Sequence, residues 1–213
     1  MNSLLRRSVL GAVVLSLMTV AAFAQEDKSK GSMSCRDNWH NDRLIGHCEI
    51  REQTVPSGGT LTVDARKNGG ISIKGRDKNE VLVRSKVQSA APTKSEAEQL
   101  GSQIKIETAG GKIYAQGPDN REDYNWSVSY EIFAPRRSDL YAETYNGGIA
   151  IADVTGKIEF SAHNGGVVLR RVGGSVRGGT TNGGLVVELA GSSWDGETLD
   201  VKTTNGGIVM SVP

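Results

Sequence analysis

The chain has 213 residues, and its 25 Lys+Arg offset 24 Asp+Glu to a formal net charge of +1. That balance leaves no field to recruit nucleic acid, aromatics at 5% leave no platform for stacked bases, and three His and two Cys leave few ligands for a metal or cofactor. The 27 glycines against 5 prolines exceed the usual share of about 7%, without the Gly-X-Y period of collagen.

Residues 1–24 have the layout of a signal peptide. Arg6 and Arg7 give a positive start, Val9 to Ala21 are mostly apolar, and Ala22-Phe23-Ala24 is a small-x-small cleavage site. The apolar run falls short of the about 20 residues that span a bilayer, so no stable membrane span is expected. Arg6-Arg7 match a twin-arginine signal only loosely, which favours ordinary Sec export. The expected location is the bacterial periplasm or the extracellular space.

Residues 25–55 form a segment bounded by its two cysteines, Cys35 and Cys48. An even count in an exported chain reads as one disulfide, worth about 3 kcal/mol for a loop of this length. His40 and His47 lie in the same loop and leave zinc as the alternative, although the spacing lacks the usual C-x(2–4)-C half. Trp39, beside His40, is a candidate contact residue.

From residue 56 to about 137 the chain reads as strand-rich. Leu61-x-Val63-x-Ala65, Ile71-x-Ile73 and Val81-x-Val83 alternate at period two. Thr93-Lys-Ser-Glu96 is a capping box, and Ala97, Leu100 and Ile104 follow at helical spacing, which predicts one short helix. Ile104-Lys-Ile106 and Lys112-Ile-Tyr114 flank Ala109-Gly-Gly111 as a hairpin. Trp126-x-Val128-x-Tyr130-x-Ile132 alternates cleanly up to Pro135.

Residues 138–213 repeat. Asn-Gly-Gly followed by an aliphatic residue begins at Asn68, Asn146, Asn164, Asn182 and Asn205, the last four spaced 18, 18 and 23 residues apart. Ile149-x-Ile151, Val167-x-Leu169, Leu185-x-Val187 and Ile208-x-Met210 follow the turns. A pass of two short strands cannot bury its apolar face alone, whereas stacked passes can. The expected fold class is all-β: a β-solenoid, or β-helix-like stack, behind a strand-rich front half with one helix. Asn and Gly both tolerate positive φ, which suits the turns, and the side chains of Asn146, Asn164, Asn182 and Asn205 are expected to bond in a ladder.

The outward positions carry two further signals. Tyr141, Glu159, Arg177 and Asp200 occupy one row, with alternating signs along its last three members. Ala150, Val168, Val186 and Val209 form an outward apolar stripe, although they alternate with inward residues. A sheet that is apolar on both faces is normally covered on both. Cover by the front half of the chain is expected, with a partner molecule as the alternative.

Leu61-Thr-Val-Asp-Ala-Arg-Lys-Asn-Gly-Gly-Ile71-Ser-Ile73, Glu80-Val-Leu-Val83, the helix near Thr93, Tyr130-Glu-Ile-Phe-Ala-Pro135 and the serial Asn-Gly-Gly turns resemble the bacterial putative-adhesin domain family. The resemblance covers roughly residues 50–213 and implies a β-helical fold in an exported or envelope protein, without established catalytic residues or cofactors. With the residue pattern, it sets the expected domain at 56–213.

The expected function is a non-enzymatic adhesion, envelope-scaffold or binding module whose partner is an envelope protein or a glycan. Five extra residues fall around Ser192-Ser-Trp-Asp-Gly196, making Trp194 and Asp195 candidate contacts; the alternative is that Trp194 folds back to cover the stack. The alternative function is a polysaccharide-active enzyme, which needs paired carboxylates. Here Arg177 stands between Glu159 and Asp200, and Asp153 aligns with Arg171, as in ion-pair ladders. Rows of Thr that would suit an ice surface are interrupted by Ala162-His163. The terminal strand from Ile208 leaves an open apolar edge, which makes an edge-mediated homodimer an expected partner.

Overall fold

A computed structural model describes residues 33–36, 43–189, 194 and 196–211, all within the unit Gly31–Pro213. The expected signal peptide, Trp39, His40 and Asp195 lie outside the described residues. Among the described residues, no helix is long and apolar enough to cross a membrane.

The described residues are mostly β, with one α-helix among them and a sheet curled into a half-barrel. The strands are β1 (Ile45–Pro56), β2 (Leu61–Asp64), β3 (Ile71–Arg76) and β4 (Glu80–Ala91), then α1 (Lys94–Gln103). β5 (Lys105–Glu107), β6 (Lys112–Gln116), β7 (Asn125–Pro135), β8 (Leu140–Asn146) and β9 (Ile149–Ala152) follow. The chain continues through β10 (Thr155–Asn164), β11 (Val167–Asn182), β12 (Leu185–Leu189), β13 (Thr198–Asn205) and β14 (Ile208–Ser211).

One side of the curl runs β1-β4-β7-β3-β9-β11-β12-β14, and the other runs β5-β6-β2-β8-β10-β11-β13. β11 belongs to both. Its first half pairs with β9 and β12, and its second half with β10 and β13. It changes sides where Arg171 takes φ 50°, Gly174 takes φ 89° and the register to β12 shifts.

From β2 and β3 onward the pairing is parallel and in register. Leu61, Leu140, Ile158, Val176 and Leu199 stand in one row, and Ile71, Ile149, Val167, Leu185 and Ile208 in another. In both rows every member but the last in chain order is buried, which follows from the period-two alternation. The members that end the rows, in β13 and β14, have a neighbour on one side only.

The front half departs from this pattern. β1 and β4 are antiparallel over twelve residue pairs, β4 and β7 over nine, and β5 and β6 over three. Helix α1 packs on β4 and β1 through Ala97 and Leu100. Its start carries the capping box: Thr93 Oγ1 accepts from the Glu96 N–H, and the Glu96 carboxylate accepts from the Thr93 N–H.

Two expectations need correction. First, the front half does not cover the outward apolar stripe. β1, β4 and β7 add to the edge of the same sheet, so they extend that face instead of folding over it. Ala150 and Val186 stay exposed, Val168 is half-buried, and Val209 is 64% exposed. Second, the glycines of the Asn-Gly-Gly turns are not selected by positive φ, because none of them has it. A Cβ on the first glycine would collide with the neighbouring pass instead. It would stand 2.0 Å from Gly69 O at Gly147, 2.0 Å from Gly147 O at Gly165, and 2.3 Å from Gly165 O at Gly183.

Candidate functional site

The described Asn side chains form one directional row. Asn205 Nδ2 donates to Asn182 Oδ1 at 2.7 Å, Asn182 to Asn164 at 2.8 Å, Asn164 to Asn146 at 2.8 Å, and Asn146 to Asn68 Oδ1 at 3.0 Å. The parallel register dictates this, since Asn146, Asn164, Asn182 and Asn205 are direct partners across their strands. Sequence reasoning left Asn68 out of the row, although it carries the same turn.

Behind the turns, Thr144 Oγ1 donates to Gly69 O at 2.7 Å, Thr180 to Gly165 O at 2.7 Å and Thr203 to Gly183 O at 2.8 Å. Thr144 and Thr180 are buried, so they tie the corner together instead of presenting a surface.

The acids that an enzyme would need are engaged elsewhere. Asp153 receives Arg171 Nε at 2.6 Å and Nη2 at 2.9 Å. The Arg171 hydrogen bonds hold the Asp153 carboxyl below the usual carboxylate range against a smaller, opposing effect of burial. Glu159 meets Lys157 at 2.9 Å, and Asp200 meets Arg177 at 3.5 Å.

Cys35 and Cys48 are joined as a disulfide, which uses both sulfurs the zinc alternative would require. Such a bond suits an oxidising, non-cytoplasmic compartment. Trp194 is half-buried and packs against the core cluster, so the fold-back alternative describes it.

A cleft that sequence reasoning missed opens where the Asn row meets β7. It holds about 780 Å³, with a neighbouring pocket of about 420 Å³. Asn68, Asn120, Trp126 and Ser127 line both. Trp126 is fixed there: its Nε1 donates to Pro118 O at 2.6 Å, its N–H donates to Asn120 Oδ1 at 2.9 Å, and its carbonyl accepts from Asn120 Nδ2 at 3.1 Å. Arg66 and Lys67 sit on one wall of the larger cavity and Asp119 also lines it. The Trp126-to-Ile132 alternation in the sequence was a signal for the strand, but not for this wall.

No family model matches the chain, and no curated protein matches it. Among solved structures, it is similar to a putative cell adhesion protein from Clostridium sporogenes at 8% identity and a TM-score of 0.41, covering 77% of this chain and 99% of that one. It is similar to a putative adhesin from Parabacteroides distasonis at 8% identity and a TM-score of 0.26, covering 76% and 78%. A putative lipid binding protein from the same organism stands at 7% identity and 0.25, covering 77% and 95%.

Proposed function

We propose that the protein is an exported, non-enzymatic β-solenoid module acting in adhesion, envelope scaffolding or binding. The observation that carries this reading is the stripe Ala150, Val168, Val186 and Val209. It stands on one in-register parallel face and ends at Val209, which is 64% exposed, while Ile208 and Met210 belong to the opposite, core-facing row and are bared only because β14 is the last strand of its side. Contiguous exposed apolar rows of this kind mark interaction surfaces. The parallel registers and the Asn row support a coil of stacked passes. The ion pairs that occupy Asp153, Glu159 and Asp200 support a binding role over polysaccharide cleavage. The partner is an envelope protein or a glycan.

The test is co-sedimentation with purified bacterial cell envelopes. Wild type is expected to co-sediment. Val186→Asp is expected to lose at least tenfold in bound fraction while Tm stays within about 2 °C, because Val186 is already exposed. A large fall in Tm would instead make the stripe a packing surface and remove the basis for the reading.

A further inference from the structure

We propose that the cleft beside Trp126 is a binding site for a carboxylated sugar unit of a glycan. The proposal deepens the binding-module reading and rests on it.

Its first support is the direction of the Asn row. Four bonds run in the same sense, from Asn205 through to Asn68. Chains of like-oriented hydrogen bonds polarise one another. The row ends with the Asn68 Oδ1 occupied by Asn146 and the Asn68 side chain lining both cavities, so its Nδ2 is the terminal donor of the series. A sugar hydroxyl or carboxylate is the kind of acceptor that such a donor takes.

The second support is the composition of the walls. The smaller pocket adds Gln88 and Asn125 to the shared Asn68, Asn120, Trp126 and Ser127. Asn120 is engaged by the Trp126 backbone and Asn125 Nδ2 by Glu122 O, which leaves Asn68 Nδ2, the Gln88 amide and the Ser127 hydroxyl beside one indole, a set that suits a polyhydroxylated ring needing directional bonds and one apolar contact. The indole is held by its Nε1–H bond to Pro118 O, and the Trp126 backbone by two bonds with Asn120, before any ligand arrives, so little order remains to be imposed on binding. The larger cavity lies within the range of about 300–1,000 Å³ that small-molecule sites occupy.

The third support is charge. Arg66 and Lys67 both line the larger cavity. Arg66 takes φ 56°, with its N–H bonded to Asp64 Oδ1 at 2.7 Å, an uncommon conformation for a residue with a side chain. Its guanidinium lies over the Tyr114 ring at 5.0 Å and 3.5 Å from Asp64, so of these two exposed cations Lys67, beside Asn68, is the one without a described ion pair. The Lys67 ammonium is a local partner for one carboxylate on the ligand, whereas Asp119 on the same lining balances it overall, so a polyanion such as nucleic acid is not favoured.

The test uses the full exported chain, trigalacturonate as the probe and maltotriose as the neutral control. Calorimetry is expected to show trigalacturonate binding at least tenfold more tightly, with quenching of Trp fluorescence. Lys67→Ala and Asn68→Ala are each expected to weaken that binding at least fivefold. Lys202→Ala, on the distant β13, is expected to leave it unchanged. Rising salt is expected to weaken the acidic probe and not the neutral one. Equal affinity for both trisaccharides, or unchanged affinity in Lys67→Ala, overturns the proposal. So does binding to neither probe; if envelope co-sedimentation then persists and is still lost in Val186→Asp, the binding-module reading stands and the cleft alone is refuted.

Discussion

A Cβ on Gly165 would stand 2.0 Å from the carbonyl oxygen of Gly147, whereas one on Gly184 would find its nearest neighbour, Gly207 O, at 3.7 Å. The two glycines of one motif therefore have different status. Gly165→Ala is expected to cost about 3 kcal/mol, because neither backbone can give way without breaking the row beside it. Gly184→Ala should change stability by less than about 1 kcal/mol. Urea unfolding of both variants checks this, and equal costs would show that close approach is not what selects glycine here. The motif itself was legible because Asn-Gly-Gly is a local signal. Its physical cause was not, because the colliding atom belongs to a residue 18 positions away. Separations of 75, 15 and 20 positions likewise hid the roles of Thr144, Thr180 and Thr203, whose hydroxyls bond the carbonyls of Gly69, Gly165 and Gly183.

At the scale of elements, the second corner is where β9 gives way to β10 and where β11 changes sides. Asp153 and Arg171 sit at these corners with φ 60° and 50°, and their side chains pair across the stack. Because hydrogen bonds from Arg171 depress the folded-state pKa of Asp153, the pair contributes stability above the unfolded-state value of about 4. That contribution is lost as pH falls through the folded value. Asp153→Asn is expected to lose about 1 kcal/mol at pH 7, since the Arg171 side chain is half exposed to solvent. The gap between variant and wild type should close progressively below pH about 4, as read by denaturant titration at a series of pH values. A constant gap would place the effect in the backbone turn. The capping box of α1 and the alternation of β7 were readable because each is complete within a few residues. β1 was not: it is an edge strand, residues 46–51 are half-buried on both faces, and Gly46-His47-Cys48-Glu49 shows no alternation.

For the whole molecule the two ends differ. The front edges of the sheet, β1 and β5, are antiparallel strands, with α1 packed on β1 and β4, while β13 and β14 form a parallel edge with exposed residues. Among the described residues only β13 and β14 therefore offer a parallel-sheet edge for growth, which favours a closed pair of copies over a filament. We expect light scattering to show a concentration-dependent dimer, and Met210→Lys to shift it at least tenfold toward monomer. A strict monomer across a wide concentration range would rule the pairing out.

Period-two alternation and the Thr93-Glu96 capping box determined by themselves that the described residues are mostly β, with a helix near Thr93, because each of these depends on neighbours close in sequence. The tertiary structure alone decided that the outward stripe is bare, since only strand order shows the front half joining the edge of the sheet. It alone brought Asn68 to Trp126, residues that share a wall because β3 pairs with β7 across an intervening helix and three strands.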